Sequence, residues 1–192
     1  MSTDSSHNPA SVSVDTSVPL CVDLDGTLVA VDTLHHTLKG MFISRPWLLV
    51  PAALALPKGR SGFKHRVSQL FDIDPTTLPY RNRVIDYISA ARQNGQPTVL
   101  ATAATMHIAR RVFDHIAIFD ELIASEEGVN RKGTGKLDAI RERFGQSPFD
   151  YMGDSSADIP IFAACRRAIL VHPSASVRQA SGTSFQPYLI IE

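Results

Sequence analysis

Cysteine is nearly absent: the 192 residues contain only Cys21 and Cys165, far apart and in no CxxC pair. That excludes a disulfide framework and a cysteine-built zinc site, and points to reduced, buried thiols in a cytosolic protein. Excess charge of either sign is also missing, with 19 basic residues against 19 acidic ones. No nucleic-acid partner is therefore expected, because such affinity rests on an excess of basic residues that neutralise phosphates. No apolar run reaches the roughly 20 residues of a membrane-spanning helix. The longest, Met41 to Leu56, is 16 residues long and is broken by Arg45, Pro46 and Pro51. Neither an internal repeat nor a secretory signal is visible. Residues 1–17 are serine-rich, lack a basic start and an apolar stretch, and read as a flexible tail. What is present, 44% hydrophobic and 20% charged residues, is a globular composition sized for one domain with room for an inserted subdomain.

From Pro19 onward, short apolar runs alternate with longer amphipathic ones. Strands are expected at Leu20–Asp23, Pro97–Ala101, Glu121–Ala124, Phe149–Met152 and, as the last, Ala168–Val171. Helices are expected at Val84–Gln93, stopped by Asn94-Gly95, and at Ile108–Phe113, Leu137–Phe144 and Asp158–Cys165. This alternation implies an α/β fold, a doubly wound parallel sheet with helices on both faces. Residues 33–82 break the rhythm with two proline-punctuated apolar pieces, a hinge at Pro57-Lys58-Gly59 and one amphipathic run, Phe63–Phe71. They read as a small helical cap inserted after the first strand, hinged at Val31-Asp32 and Leu78-Pro79. The expected layout is a tail at 1–17, a core at 18–32 and 83–192, and a cap at 33–82.

The strongest chemical signal is Asp23-Leu24-Asp25-Gly26-Thr27-Leu28, directly after the first strand. Ligands of open parallel sheets bind beyond the carboxyl ends of the strands, so both acids belong at that rim. Gly26 lets the chain turn sharply. One carboxylate can act as a nucleophile forming an acyl phosphate, and the other can protonate the leaving oxygen and activate water. Thr102 follows the second strand; its hydroxyl and the next N–H, of Ala103, can hold a phosphate oxygen, with Ala103, Ala104 and Thr105 as alternatives within reach. Gly133-Thr134-Gly135-Lys136 invites a P-loop reading, but Asn130 stands where a glycine is needed and Leu137 where Ser or Thr is needed. The better reading is a lysine, Lys136, projected from a loop to neutralise phosphate and nucleophile together. Gly153-Asp154-Ser155-Ser156-Ala157-Asp158 places two more acids at a strand end and helix start. Helix capping is one role for them. With Asp23 and Asp25, Asp154 also completes an oxygen-rich cluster suited to Mg²⁺.

The order DxDGT, strand-terminal Thr, lysine and GDxxxD resembles the haloacid dehalogenase (HAD) superfamily of phosphotransferases, from about Pro19 to Val171. The resemblance implies that Asp23 is nucleophile and metal ligand, and that Asp25 is general acid/base with its carbonyl on the metal. It further implies Thr102 and Lys136 as phosphate holders and Asp154 as a third metal ligand. Asp158 would orient Lys136 or a metal-bound water, with Thr27 in support. Asp25 argues against hydrolytic dehalogenase chemistry, where no proton donor is needed, and transport ATPases of the superfamily carry Thr there. A Mg²⁺-dependent phosphomonoester hydrolase working through an aspartyl-phosphate is the expected function. A phosphotransferase or mutase, or a non-catalytic binding module of the same fold, are the alternatives.

The segments LPYRNRVIDYI, PTVLATAA, YMGDSSADIPIFAAC and GFKHRV also resemble the HAD domain fused to UbiA-type polyprenyltransferases in bacteria, although here no multi-span region follows before Glu192. That resemblance implies a lipid- or prenyl-linked phosphate as substrate, and a cytoplasmic chain brought to the membrane by a prenyltransferase partner. Both a stand-alone relative and the soluble part of a longer protein fit this reading. Substrate choice would fall to the cap, with His35, His36, Arg60, Lys64 and His65 as candidates and Lys64 foremost. Trp47 and Leu48–Val50 are expected to pack the cap's own core, with an apolar lid or a membrane contact as the sharper alternative. Cys21 reads as strand core.

Overall fold

The computed structural model describes residues 17–126 and 131–192, together with the backbone but not the side chains of Lys58 and Arg60. Nearly all of the expected tail, Asn130 and the Arg60 side chain lie outside the described residues.

Six strands form one parallel sheet: β1 (Leu20–Val22), β2 (Thr98–Thr105), β3 (Glu121–Ser125), β4 (Asp150–Gly153), β5 (Arg167–Val171) and β6 (Pro187–Ile191). Their order is β3-β2-β1-β4-β5-β6. The central strands are short, continuous apolar runs, as sheets buried on both faces require. Alternation divides them between two cores. Leu20, Val22, Leu100, Met152 and Ile169 pack on one face, against α4 (Asn82–Gln93) and α5 (Met106–Ile116). Cys21, Val99, Tyr151 and Leu170 pack on the other, against α6 (Thr134–Phe144), α7 (Ile159–Phe162) and α8 (Ala175–Ala180). The chain runs outward from β1 through β2 to β3, then returns to build β4, β5 and β6 on the opposite side. The crevice beyond β1 and β4 is therefore the topological switch point, where open α/β sheets bind ligands.

The inserted segment is helical, with α1 (Thr33–Ser44), α2 (Leu49–Ala53) and α3 (Gly59–Leu70). Short 3₁₀ turns lie at Pro46–Leu48, Leu56–Lys58 and Pro75–Thr77. The helices pack around Met41, Ala52 and Val67, flanked by Leu34, Leu38 and Phe63. At the neck the two connections pair: the Ala30 N–H donates to the Pro79 carbonyl (2.9 Å) and the Arg81 N–H to the Leu28 carbonyl (3.0 Å). The neck is thus a short antiparallel clasp at the expected hinge positions.

Several expectations need correction. β2 runs on past Ala101 to Thr105 because its pairing with β3 shifts register between those residues. The last strand is β6, not β5, and α8 before it was not expected. Leu48 and Leu49 pack on the cap core, whereas Trp47 and Val50 are exposed.

Candidate active site

The switch-point crevice opens into a cleft of about 330 Å³ whose wall includes Asp23, Asp25, Lys64, Ala103, Lys136, Asp154 and Asp158. Asp23 follows β1, and its N–H donates to the Met152 carbonyl of β4 (2.9 Å), which fixes the start of the loop. Gly26 then takes φ +78°, and a Cβ there would stand 2.2 Å from Oδ2 of Asp154. The turn and the close approach of the β4 loop both require glycine at this position.

Lys136 is the hub. It lies in the first turn of α6, not on a loop, and is buried. Its ammonium reaches Asp23 Oδ1 at 2.7 Å and Asp158 Oδ1 at 3.1 Å. It also donates to the Tyr151 hydroxyl (2.8 Å), which in turn donates to Asp158 Oδ1 (2.7 Å). Asp158 further accepts the Ser155 N–H (3.2 Å) and hydroxyl (3.0 Å). With four donors on its carboxylate, Asp158 anchors Lys136 and caps the turn before α7; helix capping and the site role coincide in one residue. Thr27 donates to Asp154 Oδ1 at 3.3 Å and so steadies that carboxylate. Asp25 Oδ1 accepts the Thr33 N–H (2.7 Å), which ties it to the first turn of α1.

Burial raises Asp23 to about 7; Asp158 and Asp25 push the same way, while Lys136 opposes them. Asp154 rises to about 6, again by burial and then by Asp158. Asp25 is raised by burial against the Thr33 N–H, a shift that favours the protonated acid. Burial works against the charges of Asp158 and Lys136 too. The opposing attractions win: Asp23 and then Asp158 hold Lys136 above its ordinary value, and Lys136 with the Tyr151 hydroxyl holds Asp158 below its own. Asp23 and Asp158 thus share the buried Lys136 ammonium, with Asp154 beside them.

Carboxylate oxygens of Asp23, Asp154 and Asp158 lie within 4.8 Å of one another. Hard oxygen donors with excess negative charge fit a divalent cation such as Mg²⁺. Because Asp158 is saturated by its donors, Asp23 and Asp154 are the carboxylates left to hold such an ion.

The other expected residues are placed less uniformly. Ala103 is in the cleft wall, but the Thr102 hydroxyl is fully buried and accepts the Ala104 N–H (3.0 Å). Lys64, on α3, reaches from the cap to the Ala103 carbonyl at 3.5 Å. His35 lines a neighbouring cavity with Leu34, Phe63, Lys64 and Lys132. His36 pairs with Thr77 (3.3 Å) and His65 with Gln69 (2.9 Å), and neither lines the cleft. Sequence reasoning missed Tyr151, which reads as strand core and is revealed only by its β4 position. It also missed Arg81, whose guanidinium donates to the Gly26 carbonyl (3.2 Å) and joins the neck to the acidic loop.

The family model for haloacid dehalogenase-like hydrolases matches residues 20–163. The uncharacterized protein y4nM of Sinorhizobium fredii (strain NBRC 101917 / NGR234) is 38% identical over 157 residues, 82% of this chain and 30% of that protein. The chain therefore spans under a third of this relative's length. Among solved structures, a protein of unknown function from Bordetella pertussis Tohama I superposes with TM-score 0.70 at 16% identity, covering 91% of this chain and 97% of that one. A HAD family hydrolase from Salmonella enterica serovar Typhi gives 0.63 at 11% identity, covering 91% and 68%. A substrate-bound phosphoserine phosphatase gives 0.61 at 14% identity, covering 91% and 93%. These last likenesses concern the fold, and the matched family model assigns the chain: it belongs to the haloacid dehalogenase-like hydrolases.

Proposed function

We propose that the chain hydrolyses a phosphomonoester through an aspartyl-phosphate at Asp23, with Mg²⁺ as cofactor. The observation that carries this reading is the buried Lys136 ammonium between Asp23 and Asp158, with Asp154 converging on the same point. Asp23 and Asp154 would hold the ion, and the family resemblance implies the Asp25 carbonyl as the third protein ligand. When bound, the ion neutralises phosphate charge and orients the phosphoryl group. Lys136 shields the charge of nucleophile and phosphate from the protein side. An Asp23 carboxylate oxygen bonds to phosphorus as the bond to the leaving oxygen breaks, and protonated Asp25 gives that oxygen its proton. Asp25, now a carboxylate, takes a proton from water as the water oxygen attacks phosphorus. The Asp23–phosphorus bond breaks, phosphate leaves, and both acids return to their starting states. Phosphate is also held by the backbone at Ala103, with Thr102, whose hydroxyl accepts the Ala104 N–H, supporting that end of β2 and Thr27 steadying Asp154.

A lipid- or prenyl-linked phosphate is the proposed substrate class. The cavity beside the cleft supports it, because apolar Leu34 and Phe63 sit there with two cations, Lys64 and Lys132, against one acid, Asp32. Association with a membrane prenyltransferase is supported by the sequence resemblance. A phosphotransferase using another acceptor would share the first step and differ only in the group that Asp25 deprotonates.

Hydrolysis of an aryl phosphate, with and without chelator, and acid-quench trapping with labelled substrate test the reading. Turnover that stops in chelator, returns with Mg²⁺ and is lost in Asp23→Asn supports it. Retention of more than about one per cent of turnover in that variant overturns the nucleophile assignment, since a lost nucleophile costs far more.

A further inference from the structure

Nine large hydrophobic side chains are exposed among the described residues, and six of them fall in one stretch of the cap: Phe42, Ile43, Trp47, Val50, Leu54 and Leu56. Trp47 is 65% exposed and Leu54 75%. Clustered exposure of this kind marks an interaction surface. The charge around it indicates the partner. Residues 33–71 contain Lys39, Arg45, Lys58, Arg60, Lys64 and Arg66 and no Asp or Glu at all. The rest of this neutral chain consequently carries 13 basic residues against 19 acidic ones. Lys39, Arg45 and Arg66 are exposed.

We infer that this exposed, basic stretch of the cap docks on an anionic lipid bilayer. An acid-free basic segment with exposed aromatic and aliphatic side chains has the composition of an interfacial element, in which apolar groups enter the headgroup boundary while lysine and arginine meet anionic lipids. Tryptophan suits that boundary. No helix among the described residues is long and apolar enough to cross a membrane, so the contact lies on the bilayer and does not span it. A second copy of the same basic face would meet like charge, which disfavours self-association there. The inference deepens the lipid-linked reading of the substrate, because the same cap borders the cleft, but its observations are independent of catalysis.

The test is co-sedimentation of the 192-residue chain with vesicles of neutral phosphatidylcholine, or of the same lipid mixed with an anionic phospholipid, at low and high salt. Binding to the anionic vesicles alone, weakened by salt and reduced at least tenfold by Trp47→Ser with Leu54→Ser and by Lys39→Glu with Arg45→Glu, is expected. Both double variants should keep wild-type turnover of a soluble aryl phosphate. Absence of vesicle binding overturns the inference, as does binding that survives the serine variant. A dimer seen by light scattering that the serine variant dissociates, without vesicle binding, assigns the face to a second copy instead. No substrate enters the binding assay, so failure of the phosphatase reading appears separately, as wild-type protein that binds vesicles but does not turn over.

Discussion

Gly26→Ala tests the geometry of the site more sharply than removal of any acid. At φ +78° the new side chain enters a left-handed backbone region that costs about 1–2 kcal/mol for a residue with a Cβ. For a chain of this size that strain lowers Tm by about 2–8 °C. The Cβ would also lie 2.2 Å from Asp154 Oδ2 and 2.7 Å from its Cγ. Those separations fall about 1 Å short of van der Waals contact, so the carboxylate must retreat. In doing so it weakens its 3.3 Å bond from Thr27 and leaves the point where it meets Asp23. Disturbing groups that merely orient metal ligands costs about 10–100-fold in affinity, and displacing a ligand should cost at least as much. Gly182→Ala is the control: it has φ +85° with nothing within 4 Å of the new Cβ, giving comparable backbone strain without the collision. Calorimetric Mg²⁺ titration and the Mg²⁺ dependence of aryl-phosphate turnover should show the weakening in Gly26→Ala alone, with both variants folded by circular dichroism. Equal Mg²⁺ affinities in the two variants would refute the argument.

Asp25→Ala should still be phosphorylated by an aryl phosphate, whose leaving group needs little protonation, but barely by an alkyl phosphate. Rapid quench should then show a burst of about one equivalent, and equal slowing of both substrates without a burst removes Asp25 from the acid/base role. Mg²⁺ affinity should depend on pH, because folded-state values of about 7 for Asp23 and about 6 for Asp154 mean that protons must leave before the ion binds. Affinity should rise about tenfold per pH unit from 6 to 7, more steeply below 6, and level off above 7; calorimetry at several pH values showing a flat response contradicts the shifts. In the metal-free protein, the raised Asp23 value stabilises the fold at acid pH, and this contribution is lost as pH rises through 7. Asp23→Asn should therefore lack that part of the wild-type loss in Tm between pH 5 and 8. Asp150→Ala removes a buried partner of Arg166 (2.7 Å) and of Gln96 (2.9 Å). It should cost about 3 kcal/mol in a melt or denaturant titration while Mg²⁺ affinity stays unchanged.

The acids of the site were legible because each follows a short apolar run, and in a parallel sheet such runs end at the ligand-binding rim. Asp23, Asp25, Asp154 and Asp158 all share that signature, and β1 and β4 prove to be sheet neighbours. What the residue pattern could not convey is how side chains meet across strands. Tyr151 looks like any aromatic in a buried strand; only its register opposite Cys21 sets its hydroxyl beside Lys136 and Asp158. Lys136 was recognisable as a charge near the site but misplaced on a loop. The two glycines around Thr134 suggested irregular backbone, whereas Gly133, with φ +62°, ends the loop and the helix begins at Thr134. Thr102 sits differently from its expected place at a strand end. A shift of register carries β2 past the expected end, and the hydroxyl turns inward to its own backbone. β6 escaped notice because an edge strand opening with proline is only partly buried and lacks a core signature. In the cap, prolines break periodicity before a face can be assigned. Trp47, expected inside, is exposed, and residues 33–71 around it in sequence hold six basic residues and no acid, a bias of composition that no motif marks.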